Sequence, residues 1–252
     1  VVKDRVIYLS FSDENGLYIF DVSDPDNPQT TIDYLGHVLA GLTVDSLLIS
    51  GSSSLFEIFN ISDPLNPVRI CSTRIGPPGD YDIYSITVDG TTVFLGTQDA
   101  GIFAIDITDI EHPVVRGSLE WPYSTKYWLV PEKTGIGLID SYLIASNVIG
   151  LSIIDRSNID SLKETKFFPT GGIQTSLDIR DSIAIIGAGM AGIWILDISD
   201  PFKPNPVSNL FIPYGFTADV LVSDTLVYLV NWVESGQFNE GRGLWIINIS
   251  DI

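Results

Sequence analysis

Residues Gly192 to Pro204 read G-I-W-I-L-D-I-S-D-P-F-K-P, and near-copies run from Gly16 to Pro28, Ser54 to Pro67, Gly101 to Pro113, Gly150 to Leu162 and from Gly243 onward. A chain that rewrites one motif at a regular interval builds one supersecondary unit repeatedly, and each unit needs its neighbours to bury its apolar surface. A second mark has the same beat. An aspartate sits at a turn between two apolar runs at Asp4, Asp45, Asp89, Asp140, Asp181 and Asp224, spaced by 41, 44, 51, 41 and 43 residues. That interval is the length of a four-stranded propeller blade.

The unit around Gly192 serves as the model. Ile173 to Ile179 is expected as strand a, Arg180-Asp181 as a turn, Ser182 to Gly187 as strand b, Gly192 to Ser199 as strand c and Pro206 to Ile212 as strand d. Each run is short, rich in Ile, Val, Leu and aromatics, and bounded by Gly, Pro, Asp or Ser, which is how strands are written. Along strand c, Ile193 and Ile195 point to one face, and Trp194, Leu196 and Ile198 to the other. A sheet apolar on both faces must be covered on both, and radially packed sheets achieve this without helices. No stretch keeps a 3.6-residue apolar period, so essentially no helix is expected.

The fold class expected is therefore all-β: a single-domain β-propeller of four-stranded antiparallel blades spanning 1–252. At least six blades are expected, at about 1–35, 36–74, 83–119, 135–169, 172–212 and 215–252. The first keeps only the end of its strand a and the last lacks strand d, so a polypeptide longer at one or both ends is expected. The only methionine is Met190 and the first residue is Val1, which fits either a removed signal sequence or a truncated chain.

The motif G-L-Y-I-F-D-V-S-D-P at 16–25 and G-I-W-I-L-D-I-S-D-P at 192–201 closely resembles the LVIVD repeat of bacterial and archaeal surface proteins. The resemblance covers nearly the whole chain. It implies propeller blades and an extracellular, cell-surface or periplasmic location, and implies no particular activity. Asn60 and Asn248 replace the strand-c aspartate of Asp21, Asp106, Asp155 and Asp197, and Ser54 replaces the glycine. Asn and Asp share an acceptor oxygen and not a charge, so a turn-capping role fits all six and a metal role fits poorly. The fourth unit departs most, with R-S-N-I-D at 156–160 where others read S-D-P.

The balance of 13 Lys plus Arg against 32 Asp plus Glu gives a net charge of −19, which repels phosphate backbones and anionic headgroups, so no nucleic-acid partner is expected. No run approaches the roughly 18 apolar residues of a membrane helix, so direct membrane insertion is not expected. Cys71 is the only cysteine and reads as a small buried hydrophobe.

Sites for chemistry are sparse. The D-P-x-x-P loops at Asp24, Asp63 and Asp200 offer hard oxygen ligands for calcium, but their repetition favours a tight turn in which Pro presets φ and Asp accepts from backbone N–H groups. No metal and no cofactor are expected. His37 and His112 lie in different units, with neither a nucleophile nor a metal spacing beside them. The glycine-rich run 186–192 joins strand to strand, so it lacks the helix N-terminus that would hold phosphate. The sequons at Asn60 and Asn248 fall in repeated turns and are incidental.

Irregularity is more informative. Extra length falls at 74–82 and 120–134, both d-to-a connections, and at 232–242, a b-to-c connection. In an antiparallel blade these connections leave from one end, while a-to-b and c-to-d turns leave from the other. The insertions carry Tyr81, Trp121, Tyr123, Lys126, Tyr127, Trp128, Trp232, Phe238 and Arg242. Aromatics of this kind are anchors at protein interfaces and platforms for sugars, with Lys126 and Arg242 as directed polar contacts; folding down over the blades is the competing role for them. The expectation is a non-enzymatic scaffold that binds a protein or carbohydrate partner through this end and has no catalytic residues. Two other readings stand beside it: an enzyme acting on a glycan or redox substrate at a central channel, with residues such as His37, Asp82, Asp178 and Asp219 converging there, and a purely structural module of a longer surface protein.

Overall fold

A computed structural model describes residues 1–10, 17–33, 39–76, 82–97, 100–121, 135–147, 150–170, 174–212, 216–232 and 243–250. Every regular element among them is a β-strand, and no described helix is long and apolar enough to cross a membrane. The chain forms two compact units, Val1–Trp121 and Pro122–Ile252.

The first unit holds three sheets, each in the order a-b-c-d: β1 (Val2–Lys3), β2 (Val6–Ser10), β3 (Leu17–Asp21) and β4 (Gln29–Asp33); then β5 (Ala40–Val44), β6 (Leu47–Gly51), β7 (Leu55–Asn60) and β8 (Val68–Arg74); then β9 (Ile83–Asp89), β10 (Thr92–Thr97), β11 (Ile102–Asp106) and β12 (Val114–Leu119). The second holds β13 (Ile136–Ile139), β14 (Tyr142–Asn147), β15 (Gly150–Asp155) and β16 (Lys163–Pro169); then β17 (Ser176–Arg180), β18 (Ile183–Gly187), β19 (Ile193–Asp197) and β20 (Asn205–Leu210); and a three-stranded sheet of β21 (Phe216–Ser223), β22 (Leu226–Trp232) and β23 (Gly243–Asn248). All pairings are antiparallel. These sheets are the blades of a β-propeller, the expected fold class, with a two-residue first strand and, among the described residues, three strands in the last blade.

The alternation of strand c works as its sequence reads. Ile193 and Ile195 pack with Val220, Val227 and Leu229 of the sixth blade, while Leu196 and Ile198 pack with Ile144, Leu151 and Ile153 of the fourth. The same positions recur in the first unit. Tyr8, Leu17 and Ile19 of the first blade meet Leu48, Phe59 and Ile61 of the second, and Ile49, Phe56 and Ile58 of the second meet Val93, Phe103 and Ile105 of the third. Each blade thus has a forward face, built from positions equivalent to 185, 193 and 195, and a backward face, built from positions equivalent to 184, 186, 196 and 198. Burying such a side chain contributes about 1.5–3 kcal/mol.

Two details correct the sequence reading. The a-to-b turn of the fifth blade is Asp181-Ser182, one residue later than expected, because Arg180 still pairs with Ile183. In the third blade Asp89 belongs to β9, and Gly90 (φ +56°) takes the left-handed place that Asp45, Asp140, Asp181 and Asp224 hold at φ 48–54°. Aspartate and glycine both tolerate that conformation, so the turn keeps its shape while the aspartate shifts by one. Blades two to five also share a bulge in the c–d ladder, at Ile58/Phe59, Ala104/Ile105, Ile153/Ile154 and Ile195/Leu196. It leaves one strand-d residue unpaired and bends the outer strand, a feature that periodicity does not reveal.

Candidate functional site

The two ends of each sheet differ in kind. At the end carrying a-to-b and c-to-d turns, the repeated Asx residues satisfy themselves locally. The Oδ1 of Asp21, Asn60, Asp106, Asp155, Asp197 and Asn248 accepts from the N–H two residues on, at 2.8–2.9 Å in all six copies. Three residues later, Asp24, Asp63, Asp109, Asn158 and Asp200 repeat the bond at 3.0–3.2 Å, and their carbonyls close a turn to the residue three further on. Asn158 keeps the fourth unit in register despite its divergent letters. These bonds favour the charged carboxylate. The hydroxyl and then the amide of Ser23 and of Thr108 lower Asp21 and Asp106; the amide and then the hydroxyl of Ser157 and of Ser199 lower Asp155 and Asp197. The His112 ring, 3.1 Å away, is the main influence holding Asp109 down.

The opposite end carries the b-to-c and d-to-a connections. Trp121 follows β12 there, half-buried, and its indole N–H donates to the Thr97 carbonyl at 2.9 Å, which ties the ring to the end of β10. Trp232 closes β22, its backbone opposite Phe216, and its side chain is outside the described residues. Tyr81, Tyr123, Lys126, Tyr127, Trp128, Phe238, Arg242 and His37 also lie outside the described residues.

At this end of the fifth and sixth blades the structure gathers side chains that the sequence reading passed over. A Cβ on Gly187 would fall 2.6 Å from Ser176 Oγ, 2.7 Å from Thr175 Oγ1 and 2.9 Å from Thr217 Cγ2, so the three side chains converge on that glycine. The Thr175 hydroxyl donates to the Thr217 carbonyl at 2.6 Å, and the Thr217 N–H donates to Gly189 at 3.1 Å. Asn231 stands opposite Thr217 in the β21–β22 register. All four are buried, yet Ser176 Oγ, Thr217 Oγ1 and both polar atoms of the Asn231 amide make no hydrogen bond among the described residues. A buried polar atom without a partner costs about 1–3 kcal/mol, so these groups call for partners beyond the described residues. Thr97, the counterpart of Asn231 in the third blade, is satisfied by its own b-to-c turn, donating to Gly101 O at 2.8 Å and accepting from Ala100 N at 3.1 Å. In the sixth blade that connection is the long one at 233–242. A polar residue at the end of strand b beside an insertion was the available signal.

Of the residues weighed for catalysis, His37 lies outside the described residues and the three aspartates make the following contacts. Asp178 Oδ2 accepts from the Val222 N–H at 2.6 Å and fastens the fifth blade to the sixth. In the other unit, Asp82 accepts from Ser53 Oγ at 2.8 Å and from the Tyr84 hydroxyl at 3.2 Å. Asp219 is exposed and caps Val220 at 3.0 Å. Burial raises the Cys71 thiol, keeping it protonated and a poor nucleophile. No group of three or more His, Cys, Asp or Glu among the described residues could hold a metal ion.

No family model matches the chain, and no curated protein matches it in sequence. Solved structures match it in fold. A protein named for 6-phosphogluconolactonase activity from Bacteroides fragilis is 10% identical with a TM-score of 0.73, over 100% of this chain and 80% of that one. BamB from Moraxella catarrhalis is 11% identical with a TM-score of 0.65, over 100% and 69%. The computationally designed protein Ika8 is 13% identical with a TM-score of 0.66, over 92% and 66%. The chain spans about two thirds of the length of Ika8 and of BamB, and at these identities the likeness establishes a β-propeller and nothing of its chemistry.

Proposed function

We propose that the chain is a non-enzymatic β-propeller scaffold of the LVIVD-repeat kind, exported to the cell surface or beyond, which binds a protein or glycan through the aromatic-rich connections at the b-to-c and d-to-a ends of its blades. The observation that carries this reading is the contrast between the two ends of the fifth and sixth blades. At the turn end the Asx oxygens are bonded within their own turns, whereas at the other end Ser176, Thr217 and Asn231 hold buried hydroxyl and amide groups that find no partner among the described residues. Uncharged donors and acceptors beside aromatic loops are what a glycan hydroxyl or a peptide amide requires. Trp121, Tyr123, Tyr127, Trp128 and Trp232 are assigned stacking or anchoring roles; Lys126 and Arg242 give directed polar contacts.

The test is binding of the full chain to a glycan array and an extracellular-protein panel, with hits measured by calorimetry. Trp128→Ala and Trp232→Ala should each weaken a hit about tenfold or more, as truncation of an anchoring aromatic does. Unchanged affinity in both variants would place binding elsewhere and sink the assignment. Hydrolysis or oxidation of a bound glycan by the chain would instead favour an enzyme.

A further inference from the structure

The glycine-rich run 186–192 folds into a tight b-to-c turn whose tip is Met190. Ala188 N–H donates to the Gly192 carbonyl at 2.8 Å, Ala191 N–H to Ala188 at 2.9 Å and Gly192 N–H to Gly189 at 3.2 Å, while Thr217 N–H of the sixth blade donates to Gly189 at 3.1 Å. A turn bonded within itself and to the next blade holds its tip in one place. Met190 is nonetheless 74% exposed, more than any other large apolar side chain among the described residues.

Phe211 lies alongside. A Cβ on Gly192 would fall 2.1 Å from the Leu210 oxygen and 3.1 Å from the Ile212 nitrogen, so the backbone on both sides of Phe211 presses against this turn. The strand-d residue facing the glycine that opens strand c is Glu120 in the third blade, Pro169 in the fourth and Phe211 in the fifth, and all three are exposed. The place is open in each of these blades, so it is the phenyl ring, 62% exposed, that sets the fifth apart.

This end of the fifth blade also lacks charge. Residues 167–177, 182–196 and 204–218, which run through the blade and the connections on either side of it, contain no Asp, Glu, Lys or Arg. Between them lie Asp178, Asp181, Asp197 and Asp200 against Arg180 and Lys203, and the whole chain carries −19. The centre of a protein interface has this composition, depleted of charge and enriched in Met and aromatics. An acidic surround repels carboxylates and draws cationic side chains from a distance.

We propose that Met190 and Phe211 form a docking surface for a protein segment whose apolar side chains are flanked by Lys or Arg. The assignment rests on the reading that the b-to-c and d-to-a end binds, and it names the partner chemistry at the fifth blade. The apolar centre of the segment meets the thioether and the phenyl ring without stripping water from a carboxylate, which is the costly step at a charged surface. Its flanking cations meet the surrounding acids. The hydrogen-bonded turn is already ordered, so little backbone freedom is lost at Met190 on binding.

The test selects binders of the full chain from a displayed library of random peptides and measures the enriched sequences, as synthetic peptides, by calorimetry. They should carry large apolar residues beside Lys or Arg, and added salt should weaken them. Met190→Ser with Phe211→Ser should weaken them about tenfold or more, the scale of losing interface anchors. No enrichment, enriched sequences without basic flanks, or peptides that bind the double variant equally well each overturn the proposal. Peptides lost in Trp128→Ala or Trp232→Ala but held by the double variant overturn it while leaving the wider binding reading intact; binding that survives every one of these changes removes both. A glycan whose binding is lost in the double variant assigns the surface to sugars and overturns the proposal too. The double variant should keep the parent's urea midpoint, and a large fall would mean that these side chains are packed and not presented, which contradicts it.

Discussion

The glycine that opens strand c shows why one letter of the repeat is held. Gly192 has φ +81°, and a Cβ there would fall 2.1 Å from the Leu210 carbonyl oxygen; at Gly101, φ +96°, it would fall 1.9 Å from the Leu119 carbonyl. Strand d crosses too close for a side chain. Gly192→Ala should destabilise by about 1–3 kcal/mol in urea titration, the range for a residue forced into a disfavoured backbone region. Gly90 is the contrast, left-handed at φ +56° with nothing within 4 Å. Gly90→Asp places there the residue that Asp4, Asp45, Asp140, Asp181 and Asp224 supply in the five sister turns, and should stay within about 0.5 kcal/mol of the parent; a loss comparable to that of Gly192→Ala would show that the third turn differs from its sisters. The turn carboxylates make a second prediction. Asp21, Asp106, Asp109, Asp155 and Asp197 are held below the ordinary carboxylate value, so their folded forms bind protons less readily than the unfolded chain does. Their stabilisation is fully present above the unfolded pKa of about 4 and is lost as pH falls through the lowered values. Replacing them with Asn, as positions 60 and 248 already have it, should flatten the acid limb of the thermal unfolding curve; an unchanged limb would mean that other groups set it.

Between elements, the link that matters most is the one from Asp178 to β21. Its Oδ2 receives the Val222 N–H at 2.6 Å, while Arg180 reaches Asp224 at 3.0 Å from the adjoining turn. Asp178→Ala leaves that N–H without its acceptor and should cost about 1–3 kcal/mol. Asp178→Asn keeps an acceptor and should cost less, whereas equal losses would show that charge, not the hydrogen bond, holds the two blades. This link was not legible in the sequence, where Asp178 read only as one acid of a possible channel. The strands were legible, because Ile193, Ile195, Leu196 and Ile198 alternate against neighbours that are themselves copies, and the alternation decides which blade each side chain meets. The bulges opposite Ile195/Leu196 and its sisters were not, since they depend on how strand d bends over strand c. Nor was the meeting of Ser176, Thr217 and Asn231, because three ordinary polar letters far apart in sequence become neighbours only where Gly187 lets two strands come together. Trp121 was legible as an aromatic at an insertion, while its tie to the Thr97 carbonyl depends on a strand end 24 residues earlier.

At the scale of the whole molecule, charge is the dominant unspent variable. The chain carries −19, and ion pairs such as Arg180 with Asp224 and Lys203 with Asp200 are exposed and worth about 0–1 kcal/mol each, while Arg69 with the buried Glu57 is the exception among the described pairs. Self-repulsion of the excess carboxylates opposes the compact state more than these pairs support it. Raising NaCl from about 10 mM to about 150 mM shortens the screening length from about 30 Å to about 8 Å, which weakens the many long-range repulsions more than the few close attractions. The midpoint of thermal unfolding should therefore rise with salt; a fall would mean that local pairing outweighs net charge. Calcium at matched ionic strength separates screening from binding. If the Asp-Pro loops are turns whose oxygens are already bonded to their own N–H groups, calcium should raise the midpoint no more than sodium beyond what its higher valence screens, and excess chelator should restore the starting value without lowering it further. A saturable rise at micromolar calcium would show that the loops release their backbone bonds to take a metal, and would move the functional end of these blades to the turns.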